Sequence, residues 1–337
     1  METLRAGVVG VGRLGQHHAR NYYENSRCKL VGIADIDRTQ GSKIAKAYKC
    51  KYYEDYRELL DKVDAVSIAV PTVSHFEVAS AFLGAGVPCL VEKPICSTIK
   101  DAAALVQIAR EKDVILQVGH IEHFNVAVQK MKEIVKTPRF IECHRLGPYD
   151  PRVKDIGVVL DLMIHDIDII LRIVNSPIES FDAVGVGIMS EKEDIANVRI
   201  RFAKGCIANI TCSRVTPKPM RKLRIWQDDA YISLDYRKQN MEIYRRVPVE
   251  DARPGEPPWK IVSHHTRLRH EEPLKLEIDH FLRCIEEGQR PATTGEQAMA
   301  ALKVVIEITK NIRERCAPYS LQPLQPVEPE SDTPVKL

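Results

Sequence analysis

The chain has 337 residues, 44% apolar and 28% charged, a balance ordinary for a soluble globular protein and long enough for two cores. Lysine and arginine total 49 against 46 aspartate and glutamate, so the net charge of +3 leaves no nucleic-acid footprint. No apolar run approaches the ~20 residues of a membrane span. Nine cysteines, without a C-x-x-C pair, sit mostly in apolar runs, as Cys89, Cys206 and Cys212 do. That pattern fits free thiols in a reducing cytosol. Met1-Glu2-Thr3-Leu4-Arg5 leads into a strand-like stretch without a signal-peptide pattern, so a cytoplasmic location is expected.

The first 120 residues alternate apolar runs, at 4–9, 29–34, 65–70, 89–91 and 115–118, with helical spacing, as at 80–83 and 102–109. Short buried strands separated by helical patterns predict βαβ units and a parallel sheet. After residue 120 the pattern predicts a helix over 125–135, a strand over 139–146 and a long apolar helix over 158–174. From 181 to 246 the period is two, with strands expected over 197–202, 206–212, 221–226, 231–236 and 241–245. An antiparallel meander follows, one face on the long helix and the other open to a partner. The Pro-, Glu- and Gly-rich stretch 247–260 reads as an excursion loop. Helical spacing resumes over 274–286, and Thr294-Gly295-Glu296-Gln297 fits a capping box opening a last helix to about Arg315. The proline-rich tail predicts disorder. The expected organisation is one domain over 1–120, a second over 121–316 whose last helices can return to the first, and a tail over 317–337.

Gly10-Val11-Gly12-Arg13-Leu14-Gly15 follows the first predicted strand and opens a predicted helix, the context in which this pattern binds a dinucleotide on a Rossmann domain. Gly10 permits the tight turn, Gly12 the approach of backbone to a pyrophosphate, and Gly15 close helix–strand packing. Arg13 and Leu14 share that turn, and the helix N-terminus offers N–H groups to phosphate. Asp35, 20 positions after Gly15, closes the second strand-like run. Its carboxylate can accept from both ribose hydroxyls and repels a 2′-phosphate, which predicts NAD rather than NADP. Arg38, nearby, is the residue able to accommodate a 2′-phosphate and joins the cofactor-binding candidates.

The fourth strand ends in Glu92-Lys93-Pro94. Strand C-termini in open α/β sheets face the ligand crevice, so Lys93 is expected on the nicotinamide side, its backbone restricted by Pro94. A solvated lysine is the alternative. Within 158–174, Asp161, His165 and Asp168 fall at i, i+4 and i+7, a polar stripe on an apolar cylinder. Buried ionisable groups are costly unless paired or functional, so a structural Asp–His pair is the alternative for His165. No metal is expected: H-E-x-x-H and cysteine ligands are absent, and His17-His18, His120 with His123, and His264-His265 lack a carboxylate framework. A lysine and a histidine near nicotinamide suit alcohol oxidation, in which hydride leaves a carbinol carbon while a base removes the hydroxyl proton. Which of Lys93 and His165 takes that proton stays open.

Glu92-Lys93-Pro94 after the glycine fingerprint, followed by Asp161-Leu162-Met163-Ile164-His165-Asp166-Ile167-Asp168, resembles the glucose–fructose oxidoreductase / inositol dehydrogenase / rhizopine-catabolism (Gfo/Idh/MocA) family. The resemblance extends to about Arg315. It implies an N-terminal Rossmann domain with a parallel sheet and a C-terminal α+β domain with an open, largely antiparallel sheet. That sheet commonly forms the oligomer interface, which implies a homodimer or homotetramer. The resemblance also implies that Lys93 and His165 are the acid–base residues and that Asp161 binds or orients the substrate. Pro71, Thr72 and His75 match the family's stretch after the third strand, beside the nicotinamide ribose, and Glu92 and Lys93 join the cofactor-binding candidates.

Gly119-His120-Ile121-Glu122-His123-Phe124-Asn125, Arg145-Leu146-Gly147-Pro148 and Asp194-Ile195-Ala196-Asn197 resemble the nucleotide-sugar branch, more narrowly enzymes oxidising C3 of UDP-N-acetylglucosamine on a lipid A precursor route. Substrate-binding candidates are therefore His120, Glu122, His123, Asn125, Arg145 and Arg152, beside Asp161 and His165. Two positions depart from the pattern: His123 stands where an arginine is expected, and Val126 where a proline is usual. A UDP-sugar carries two negative phosphates, so cations are expected at its pocket. Arg145, Arg152 and Lys154 precede the catalytic helix and are the expected contacts, whereas Arg214, Lys218, Arg221 and Lys222 read as a solvated face. The alternatives are a dehydrogenase of a free sugar or polyol, or a non-catalytic NAD-binding regulator. Lys93, Asp161 and His165 together argue against the latter.

Overall fold

The computed structural model describes residues 3–150, 156–250 and 255–315. Six short strands, β1 Leu4–Val9, β2 Cys28–Ala34, β3 Lys51–Tyr53, β4 Ala65–Ile68, β5 Cys89–Glu92 and β6 Leu116–Gly119, lie parallel in the order β3-β2-β1-β4-β5-β6. Helices α1 Gly15–Glu24, α2 Arg38–Ala47, α3 His75–Gly84 and α4 Ile99–Glu111 run between them. Helices on both faces explain why the strands are nearly continuous apolar runs; all four residues of β4 are buried. The strand order reverses between β1 and β4, and a ligand crevice opens at such a switch point, outside the carboxyl ends of the strands. β3 is too short to carry a readable period and was not expected.

The second sheet follows α5 Val126–Ile134. Its strands are β7 Pro138–Leu146, β8 Ile178–Val186, β9 Ile195–Phe202, β10 Ile207–Ser213, β11 Met220–Gln227, β12 Ala230–Asp235, β13 Asn240–Pro248 and β14 Trp259–Arg267. They lie in the order β14-β13-β12-β11-β7-β10-β9-β8, antiparallel except for the β10–β7 pair. The inner face packs on the long helix, which is not uniform as expected. A π-helical turn over Val159–Met163 leads into the α-helix α6 Ile164–Val174. The stretch read as an excursion loop is the connection of a hairpin, because β13 pairs with β14 from Pro248 opposite Trp259 to Asn240 opposite Arg267. The tail over 317–337 lies outside the described residues, as do Arg152 and Lys154.

Two further helices, α7 Pro273–Glu287 and α8 Gly295–Arg315, return to the first sheet. Leu274, Ile278, Phe281 and Leu282 of α7 share a buried cluster with Ala6, Val8, Tyr22, Ile33 and Leu90. The capping box forms as the sequence predicts: the Thr294 N–H donates to Gln297 Oε1 at 3.1 Å, and the Gln297 N–H to Thr294 Oγ1 at 3.4 Å. α8 then packs on α4 and β6 of the first domain and on α6 and β8 of the second. The outer face of the second sheet carries an aromatic row, Phe140, Trp226, Tyr231 and Tyr244, with neighbouring ring centroids 5.0–5.8 Å apart. Among the described residues, no helix is long and apolar enough to cross a membrane, and eight cysteines are free.

Candidate active site

A cleft of about 2070 Å³ opens where the two domains meet. It exceeds the ~300–1,000 Å³ of an ordinary small-molecule pocket, which leaves room for a dinucleotide and a second ligand. One wall is the glycine turn. Gly10 adopts φ 81°, and a Cβ at Gly15 would stand 1.8 Å from the Gly10 carbonyl oxygen, so both positions exclude side chains for reasons of fold. Gly12 differs: a Cβ there would meet nothing within 4 Å. Open space beside a bare backbone at a helix N-terminus is the cradle a pyrophosphate requires.

Asp35 lines the same wall, its Oδ2 accepting from the Val11 N–H at 2.6 Å and its Oδ1 from the Asp37 N–H at 2.8 Å. The backbone thus aims the carboxylate while leaving lone pairs for ribose hydroxyls. Beyond it lie Glu54, Asp55, Glu58 and Glu77, with Arg57 paired to Asp55 and Glu77. That acidic surround opposes a 2′-phosphate. Arg38 is exposed on the first turn of α2 and does not line the cleft. The residues present therefore fit NAD.

Opposite the turn, Lys93 Nζ donates to Asp161 Oδ1 at 3.0 Å and to the Asp161 carbonyl at 2.8 Å. Lys93 directly follows β5 and Asp161 sits on the π turn, so the pair joins the two domains at the cleft. His165, one turn further on, also lines it. Its Nδ1 is buried without a hydrogen-bond partner, leaving Nε2 toward the cleft. Burial, then the cations Lys93 and Arg145, hold its imidazole well below the ordinary histidine range, so it is neutral. Behind Lys93, Glu92 Oε1 lies 2.8 Å from His18 Nε2, and His18 Nδ1 lies 3.0 Å from Ser67 Oγ. Although burial opposes its ionisation, the hydrogen bond and charge of His18 and the charge of Lys93 keep Glu92 below the usual carboxylate range.

Residues 4–120 match the family described as oxidoreductase family, NAD-binding Rossmann fold, and residues 128–233 match the GFO/IDH/MocA C-terminal domain. The chain is 35% identical over 315 residues to UDP-N-acetylglucosamine 3-dehydrogenase of Acidithiobacillus ferrooxidans, covering 91% of this chain and 98% of that one. The chain belongs to the Gfo/Idh/MocA oxidoreductase family. A solved structure of the Acidithiobacillus ferrooxidans enzyme superposes with a TM-score of 0.85 at 33% identity, covering 93% of this chain and 99% of that chain. Myo-inositol 2-dehydrogenase of Thermotoga maritima is 26% identical over 93% of this chain and 97% of its own length. A Gfo/Idh/MocA oxidoreductase is an NAD-binding enzyme, in agreement with the glycine turn and Asp35.

The residues singled out from the family pattern divide into two groups. Gly10, Gly12, Arg13, Leu14, Asp35 and Pro71 line the cleft on the first domain, as do Glu92 and Lys93. Arg145, Asp161 and His165 line it on the second. Arg13 also reaches across, donating to Asp150 Oδ2 at 3.0 Å. Gly15 packs against Gly10, and Thr72 stands in a 3₁₀ turn beside the cleft without lining it. His75 is buried, its ring nitrogens 2.9 Å from the carbonyls of Pro94 and Val70, where it braces two strand-end loops.

His120, Glu122, His123 and Asn125 are buried behind the cleft instead of lining it. Asn125 caps α5, accepting from the Ala127 N–H at 3.1 Å and donating to the Tyr236 carbonyl at 2.9 Å. His123 is held between Lys132 and Asp168, with His120 Nδ1 3.6 Å from the same Asp168 oxygen. Burial pushes His123 down to about 4, and burial with the Arg172 charge lowers Lys132 to about 8. His123, where an arginine was expected, thus shares Asp168 with His120 and with Arg172, which donates to the other carboxylate oxygen at 3.2 and 3.3 Å. The predicted polar stripe is accordingly split: Asp161 and His165 face the cleft, and Asp168 faces away from it.

Arg145 is not a free cation either. It grips Asp166 with two bonds of 2.7 and 2.9 Å and Glu122 with a third of 2.9 Å, all buried. Asp194, from the family-like stretch, accepts from three backbone N–H groups and from Arg214 at 2.6 Å, forming a buried hub. Sequence reasoning missed Asp166 and His18 as site supports, and Arg237 as a residue of the cleft wall. Asp166 was within the quoted motif, but only the fold shows Arg145 beside it.

Proposed function

We propose that the chain oxidises a ring hydroxyl of a nucleotide sugar to a ketone with NAD, the substrate being UDP-N-acetylglucosamine and the carbon C3. The observation that carries this is the Lys93–Asp161 pair standing with neutral His165 in one cleft that opens on the glycine turn. Similarity to UDP-N-acetylglucosamine 3-dehydrogenase along 98% of that enzyme supports the substrate.

NAD, which the glycine turn and Asp35 would hold, would supply the hydride acceptor for the carbinol carbon. Asp161 holds the Lys93 ammonium so that it donates to the substrate hydroxyl oxygen and stabilises the negative charge that develops there. His165 accepts the hydroxyl proton at Nε2, a role open to it because burial and Lys93 keep the ring neutral. The burial of free cysteines supports a reducing, cytoplasmic compartment. The aromatic outer face of the second sheet, where Trp226, Tyr244, Trp259 and Ile261 are exposed, supports a homodimer or homotetramer, which light scattering would test.

The experiment is NADH absorbance on mixing the protein and NAD with UDP-N-acetylglucosamine, other UDP-sugars, free N-acetylglucosamine or myo-inositol. Lys93→Met and His165→Gln are each expected to lower kcat by ~10²–10⁴-fold with NAD affinity retained. Silence with every UDP-sugar would discard the substrate. Wild-type turnover in both variants would discard the mechanism.

A further inference from the structure

On the cleft wall formed by the second sheet, Arg145 on β7 and Arg221 on β11 stand directly opposite one another across an antiparallel pair. Like charges in that position repel. Arg237 joins them from the turn after β12, and the Tyr236 N–H, donating to the Arg221 carbonyl at 3.0 Å, pins that turn to β11. Arg221 shares the phase of buried Leu223 and Ile225, yet its side chain is exposed, on the cleft wall; Lys222 alternates to the opposite face. The four cations that read as one solvated face therefore do not share a surface.

Compensation is uneven. Arg145 has two carboxylates of its own, Asp166 and Glu122. Among the described residues, the one carboxylate within ion-pair reach of Arg221 is Glu122, at 4.0 Å, through the oxygen that already accepts from Arg145. The Arg237 guanidinium donates to the Pro219 carbonyl at 3.4 Å. Partial burial, then repulsion from Arg145, lowers the pKa of Arg221, whose side chain stays 46% exposed on the cleft wall, even though Glu122 and Asp166 pull the other way. Two guanidiniums thus line a concave wall with positive charge in excess of the carboxylates that hold them. Planar guanidinium forks match phosphate oxygens, often in paired bonds.

We propose that Arg221 and Arg237 anchor the diphosphate of the substrate, which makes the substrate class a nucleoside-diphosphate sugar. This rests on the sugar-dehydrogenase reading of the same cleft and goes further by naming the residues that select for a diphosphate. The anchor lies on the substrate domain, apart from the glycine turn that receives the NAD pyrophosphate, so the two diphosphates do not compete for one cradle.

The test compares wild type, Arg221→Met, Arg221→Lys and Arg237→Met by the KM for UDP-N-acetylglucosamine, the inhibition constant of UDP, the Kd for NADH and the melting temperature. One lost charge-assisted contact raises KM and the UDP inhibition constant by ~10- to 150-fold. NADH affinity is unchanged, Arg221→Lys recovers part of the loss, and the melting temperature holds or rises because a repulsion is removed. Wild-type UDP inhibition in both methionine variants, with wild type still oxidising the nucleotide sugar, overturns the anchor alone. N-acetylglucosamine 1-phosphate binding as tightly as the UDP-sugar overturns the diphosphate assignment. A wild-type enzyme that oxidises free sugar or polyol and ignores UDP and UDP-sugars overturns the underlying reading as well.

Discussion

Gly12→Ala separates a glycine kept for a ligand from glycines kept for the fold. The Gly12 Cβ position meets nothing within 4 Å, and its φ lies outside the left-handed region. The added methyl therefore costs the folded chain nothing and restricts the unfolded one, a gain of ~0.4–1 kcal/mol. The same methyl projects into the cradle and displaces a pyrophosphate from the backbone N–H groups of the turn. One charge-assisted hydrogen bond is worth ~1.5–3 kcal/mol, so NADH binding weakens by roughly 10- to 150-fold. Gly15→Ala is the counterpart: its Cβ would lie 1.8 Å from a backbone oxygen, so the turn itself must move. NADH fluorescence titration and thermal melts on both variants make the comparison. The expected result is a stable Gly12→Ala protein with weak binding and an unstable Gly15→Ala protein. A stable Gly12→Ala protein that binds NADH like wild type would refute the cradle.

Arg145→Met leaves Asp166 and Glu122 buried without their cation, which costs ~3–5 kcal/mol and lowers the urea midpoint; an unchanged midpoint contradicts the compensation described. His75, His120, His123 and His165 are all held below the ordinary histidine range, chiefly by burial. The unfolded chain therefore takes up protons first as pH falls below ~6.5, and stability is lost from there down to about 4, where folded His123 titrates. Each histidine contributes ~1.4 kcal/mol per pH unit while its folded form stays neutral. Depressed carboxylates such as Asp168 deepen the loss only at lower pH. Urea midpoints measured down that range fall; a flat or rising midpoint shows that these rings are not buried neutral.

What could be read from the sequence was local. The glycine turn and Asp35 are legible because turn chemistry and strand context sit within one βαβ unit, and the capping box at Thr294 because it spans four residues. Lys93 and His165 were legible because a strand end and a helix stripe each point somewhere definite. The stripe misplaced Asp168 because the π turn over Val159–Met163 changes the phase of the helix, and no local signal marked that turn. His123 and Asp168, 45 residues apart, and Arg145 and Asp166, 21 apart, pair only once the sheet and helix are assembled. Arg221 and Lys222 looked like one charged patch, since adjacent strand residues share a sequence window while facing opposite sides.

The return of α7 to the first sheet ties the beginning of the chain to its end. Ala6 and Val8 belong to one buried cluster with Ile278 and Phe281, which leave the ribosome only after nearly the whole second domain has been made. Domains generally fold as units from the N-terminus during synthesis, and this one cannot close its core that way. A chain interrupted anywhere before α7 leaves apolar surface on the first sheet uncovered. The dinucleotide site thus stands on a core that α7, more than 150 residues further along the chain, helps to close.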